Sequence, residues 1–111
     1  MSDENLKAEL ARKALAICVD RIDKASPVAL PAILESTRKQ LEWLVAYFEG
    51  RSTQREKLKT LVFGHYAARE MDERDDEFVQ ALYMAAYVAD QTARGLKLDK
   101  KVLRGIAKNC D

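Results

Sequence analysis

Between Glu70 and Glu77 the chain places six carboxylates in eight positions: Glu70, Asp72, Glu73, Asp75, Asp76 and Glu77, interrupted by Arg74. Carboxylates this dense suit acid–base catalysis, a divalent cation, or the docking of a basic surface. The spacing lacks the glycine and terminal glutamate of an EF-hand loop, which argues against a cation site. For catalysis the single histidine, His65, would have to act as base, yet no nucleophile or orienting carboxylate stands in a motif relation to it. A packed or half-buried histidine is the expectation there. Capping of a following helix by Asp75 or Asp76 and the helix dipole account for two or three of the carboxylates, but not all six.

Downstream of this corner, Tyr83, Tyr87, Asp90 and Arg94 recur three and four residues apart, so a helix would set them on one face. Tyrosine and arginine join large contact area to directed hydrogen bonds. The expected partner-binding set is therefore Glu70, Asp72, Glu73, Asp75, Asp76, Glu77, Tyr83, Tyr87, Asp90 and Arg94, with no catalytic residue, metal ligand or cofactor. The competing reading is a solvated turn and a helix face whose tyrosines lean on the core.

Four amphipathic helices must position this edge. The first is expected over about Asp3 to Lys24, with Leu6, Leu10, Ala14, Ile17 and Arg21 on one face and Leu15, Cys18, Val19 and Ile22 widening it. Such a broad stripe predicts two neighbours. Ser26 and Pro27 end it, and Pro31 suits the first turn of a second helix reaching Glu49. That helix buries Leu34, Thr37, Leu41, Leu44, Val45 and Phe48, with Trp43 and Tyr47 flanking the core and Gly50 at its C-terminal turn. An exposed aromatic contact is the alternative for Trp43 and Tyr47. Thr53-Gln54-Arg55-Glu56 reads as a capping box opening a third helix, with Leu58, Leu61, Val62, His65 and Ala68 inward and Gly64 permitting a close neighbour. The fourth helix buries Phe78, Leu82, Ala85, Ala86 and Ala89 and stops at Gly95. Asp99 then caps a short basic helix, KKVLRGIAKN. The fold class is thus all-α: a compact four-helix bundle with a short extra C-terminal helix, linked by short connections. A chain of 111 residues is expected to make a single domain over 1–111, with a core over about 3–98 and an extension over 99–111.

A formal net charge of +1 argues against nucleic acid or an anionic membrane as partner. The basic residues of the last helix, Lys100, Lys101, Arg104 and Lys108, lack the aromatic partners of a nucleic-acid surface. No apolar run approaches the roughly 20 residues that span a bilayer. The opening MSDENLK is polar and acidic, unlike a secretory leader, so a cytoplasmic protein is expected. In that compartment thiols stay reduced: Cys18 reads as a small core residue and Cys110 as part of an exposed tail. No feature of the sequence speaks for or against a homo-oligomer.

The order and spacing of ALAICVDRI, RKQLEWL, REMDERDDEF and TARGLKLD resemble a known small helical family, the type VI secretion immunity proteins that neutralise NAD(P)-degrading toxins. The pieces that carry the resemblance are Ala14-Leu15-Ala16 before Val19-Asp20-Arg21, the Glu70-Met71-Asp72-Glu73 corner, and Thr92-Ala93-Arg94-Gly95-Leu96-Lys97. The likeness runs from Leu10 to Asp99, and the tail beyond Lys100 is longer than that family leads one to expect. It implies a cytoplasmic antidote that binds a cognate effector toxin domain, an NAD(P)+ glycohydrolase, and covers its nucleotide-binding cleft. The alternatives are an adaptor or chaperone for a secreted protein, immunity to another nucleotide-using toxin, or a hydrolase reversing a toxin's modification.

Overall fold

A computed structural model describes residues 3–109. Among them the elements are α1 (Asp3–Asp23), α2 (Pro31–Phe48), a 3-10 turn (Arg55–Thr60), α3 (Phe63–Arg69), α4 (Asp76–Ala93) and α5 (Lys100–Asn109), with no strand. Helix packs on helix in a closed order: α1 on α2, α2 on α3, α3 on α4, and α4 back on α1. The protein is all-α, as expected, with α5 added against α4. Cys110 lies outside the described residues.

Small side chains hold α1 in its place. Ala8, Ala11, Ala14 and Cys18 form its buried stripe, while Leu15, Ile17 and Ile22 pack at the flanks and Val19 is exposed. The expected stripe of Leu6, Leu10 and Ile17 is therefore displaced. A helix wedged between two others meets them both at short range, so the centre of its face takes alanine and cysteine and the larger residues fill the sides. The Cys18 thiol donates to the Leu34 carbonyl at 3.5 Å. Burial pushes its pKa up to about 11, against a smaller opposing pull from Arg38, so Cys18 is a packing residue and a poor nucleophile.

The expected third helix is two elements. Thr53 makes no cap; the chain instead takes a 3-10 turn from Arg55, extends at Leu61 and starts α3 at Phe63. This break resets the helical phase. Phe63, Ala67 and Met71 point inward, whereas Val62, His65 and Ala68 are exposed, so the expected packed histidine stands at the surface. A side chain of another helix caps α3: Gln40 Oε1 accepts from the backbone N–H groups of Val62 at 2.7 Å and Phe63 at 3.0 Å. Its Nε2 donates to Ser36 Oγ, which pairs with the Tyr66 hydroxyl. Arg55 reaches across to the Thr92 carbonyl at 2.7 Å, placing a cation at the C-terminus of α4. Trp43 and Tyr47 stack with centroids 5.4 Å apart at the core's flank, under the Lys57 ammonium at 5.2 Å from the Trp43 ring.

Three helices end in the same six-residue hydrogen-bonded hook. Ser26, Arg51 and Leu96 donate back to Arg21, Ala46 and Gln91, around a residue of positive φ at Ala25, Gly50 and Gly95. Only Ala25, at φ 49°, carries a Cβ there. The left-handed region costs such a residue about 1–2 kcal/mol, more than the roughly 0.5–1 kcal/mol of chain entropy that glycine forfeits. Ala25→Gly is therefore expected to raise stability by about 0.5–1 kcal/mol, read from urea midpoints. Gly64 behaves oppositely. A Cβ there would stand 2.9 Å from Ala86 Cβ, an atom fixed to the α4 backbone. Overpacking costs about 1–3 kcal/mol against a helix-propensity gain of about 1 kcal/mol. Gly64→Ala should lower stability by about 1 kcal/mol, and a rise would show that α3 can move off α4 freely.

Candidate partner-binding site

The acidic corner is sewn to the end of α1. Arg21 grips Asp75 with two bonds, Nε to Oδ2 at 2.8 Å and Nη2 to Oδ1 at 3.0 Å, and reaches Glu77 at 2.9 Å and Asp20 beside it. Arg21 and Asp75 are both about four-fifths buried, with side-chain exposures of 17% and 19%. Asp75 also accepts from the Phe78 N–H at 3.4 Å and so caps α4. The Arg21 guanidinium holds the Asp75 carboxyl below the usual range against the opposing effect of burial, and the Phe78 N–H adds to the shift. Reciprocally, Asp75 pushes the Arg21 pKa further up. Asp72 has its own partner: Arg74 donates to it through side chain and backbone and lowers its pKa to about 2. The Asp72 N–H donates to Val28 O at 2.7 Å, tying the corner to the α1–α2 connection.

The ten expected contact residues thus divide. Asp72, Asp75 and Glu77 are engaged inside the molecule, and the Tyr87 hydroxyl accepts from the Asp99 N–H at 3.0 Å, fastening the segment that leads into α5. Asp90 and Arg94 pair with each other at 3.2 Å on the exposed side of α4. Glu70, Glu73 and Asp76 are exposed and make no ion pair with another described residue. Tyr83 is half-buried and lines two adjoining clefts in the groove between α3 and α4. One, of about 450 Å³, has Lys59, His65 and Asp90 at its rim and Phe63 and Gly64 among its lining. The other, of about 670 Å³, is lined by the buried Ala67, Met71 and Val79 and the exposed Ala68, with Glu73, Arg74 and Asp76 around it.

Sequence reasoning placed Arg21 on the apolar face of α1 without a role. The signal was there: a lone cation continuing a buried stripe needs a buried counter-charge. Among the described residues no group of three or more His, Cys, Asp or Glu is placed to hold a metal ion. His65 reaches the rim of the smaller cleft, and among the described residues it forms no ion pair with a carboxylate.

The described residues form an all-helical protein with an open groove between α3 and α4, bordered by residues of both charges. Comparison with known proteins gives the family: the chain belongs to the Tsi6 family, whose model matches residues 7–91. It is similar to Immune protein Tsi6 of Pseudomonas aeruginosa, 38% identical over 91 residues, covering 82% of this chain and 94% of the relative. Its fold is similar to a chain in a solved structure described as Tse6 in complex with Tsi6, at 38% identity and a TM-score of 0.73, covering 84% of this chain and 96% of the other. The resemblance drawn from the sequence to an immunity family is borne out. Helix α5 lies beyond the residues that the family model matches.

The corner's ion pairs have a pH signature. Asp75 titrates lower in the folded chain than the roughly 3.9 of an unfolded aspartate. Its stabilisation is full above that value and drains away as pH falls through the lowered folded pKa. Asp75→Ala removes a helix cap, about 1 kcal/mol, and charge-assisted bonds of about 1.5 kcal/mol or more. The expected loss at pH 7 is about 2–3 kcal/mol in urea unfolding. The gap to wild type should narrow below pH 4; a gap independent of pH would deny the pair its role.

Proposed function

We propose that this chain is an immunity protein that acts in the cytoplasm of the cell producing it. It binds a cognate type VI secretion effector toxin and inhibits it by covering the active site. The observation that carries this reading is the likeness, along most of both chains, to an immune protein and to the fold of a chain solved in complex with Tse6. Inhibition is by stoichiometric occlusion rather than by catalysis, a reading supported by the likeness to an immune protein. No helix among the described residues is long and apolar enough to cross a membrane, which is compatible with action in the cytoplasm.

We further propose that the effector is an NAD(P)+ glycohydrolase and that the acidic edge enters its nucleotide-binding cleft. A cleft that holds dinucleotide phosphates presents donors and basic groups, and carboxylates at its mouth complement them. Glu70, Glu73, Asp76 and Tyr83 are the members of the expected contact set left open to do this, while Asp72, Asp75 and Glu77 keep the edge in shape. In this reading the domain that does this spans 1–111, with its core over about 3–98 and an extension over 99–111.

Titrating this chain into its cognate effector domain, while following NAD(P) loss, tests the reading. Inhibition should saturate near one equivalent. Full inhibition at a small fraction of an equivalent would mean turnover and an enzyme. Binding to a partner that consumes no NAD(P) would discard the glycohydrolase assignment and favour another nucleotide-using toxin or an adaptor role.

A further inference from the structure

The larger cleft between α3 and α4 has an unusual balance of chemistry. Its floor is apolar, built from the buried Ala67, Met71 and Val79 with the exposed Ala68 beside them, and the half-buried Tyr83 is part of its lining. Three charged residues border it. Arg74 spends its charge on Asp72, with Nε donating at 3.0 Å and Nη2 at 2.7 Å. Glu73 and Asp76 have no cationic partner among the described residues, so the cleft carries two uncompensated carboxylates above a greasy floor.

That combination selects its occupant. An acidic side chain is repelled by Glu73 and Asp76. A purely apolar one would strip water from both carboxylates and pair neither. A long cationic side chain meets every requirement: its aliphatic stem lies on Met71 and Val79 while its head reaches the carboxylates. Arginine fits better than lysine, because its planar fork can serve two carboxylates at once and its face can lie against the Tyr83 ring. We propose that this cleft is the receptor for an arginine side chain projected by the partner protein, and that this contact anchors the complex. The proposal rests on reading the chain as an effector-binding immunity protein, and names the chemistry that the effector must present.

The test is calorimetric titration of the cognate effector domain at low and at raised salt. The wild-type chain is compared with a double variant, Glu73→Gln with Asp76→Asn, and with Glu9→Gln as an exposed carboxylate on α1, far from the cleft in the chain order. Since Asp76 opens α4, Glu73→Gln by itself, which lies outside any helix, serves if the double variant unfolds. Two charge-assisted bonds turned into neutral ones should weaken binding about 10- to 100-fold and flatten its salt dependence, with Glu9→Gln unchanged. Replacing the effector's arginines by alanine one at a time should reveal one whose loss is large against wild type and absent against the double variant. Wild-type affinity and salt dependence in both cleft variants would overturn the cleft while leaving immunity intact. A loss of affinity with an unchanged salt slope would likewise overturn it, pointing to an apolar contact. No binding by the wild-type chain would remove the immunity reading and the cleft together.

Discussion

The grip of Arg21 on Asp75 is the contact on which the rest of the acidic corner depends. It joins residues 54 positions apart, the last turn of α1 and the N-cap of α4. Each partner is largely removed from water, so each would be costly to leave unpaired. The same carboxylate also serves the Phe78 N–H, which makes one side chain both the start signal of α4 and its tether to α1. Because α4 packs on α1, on α3 and on α5, its position passes to most of the molecule.

A consequence is a division of labour among like residues. In sequence the corner is a run of equivalent negative charges. In space Arg21 and Arg74 take up the inward and lateral ones, and those at the groove remain open. The open carboxylates stand on a backbone already held by the Asp72 N–H to Val28 O bond and by the α4 cap.

Tyr87 shows the same economy differently. By composition it belongs with Tyr83 as an interface anchor, yet its hydroxyl holds the backbone of Asp99, whose carboxylate in turn accepts from Lys101 N–H at the start of α5. The C-terminal helix, beyond the residues shared with the family model, is thus attached through a side chain that lies within them. Tyr83, one turn earlier, has no such duty and borders both clefts.

Much was legible in the chain itself. Helical periodicity, Pro31, Gly50 and Gly95 set the all-α class and most helix ends, because these depend on local backbone preference and on the order of apolar residues. The acidic corner and a cap at Asp75 or Asp76 were legible for the same reason. Tertiary structure decided the rest. Gln40 starts α3 from a neighbouring helix and breaks the expected third helix in two, so the inward phase shifts to Phe63, Ala67 and Met71. Arg21, distant in sequence, decides which carboxylates are paired and which are left open. A pattern along the chain records what each residue prefers, whereas an ion pair or a cap between helices depends on which side chains the packing brings within about 3 Å, and that is settled only when the helices meet.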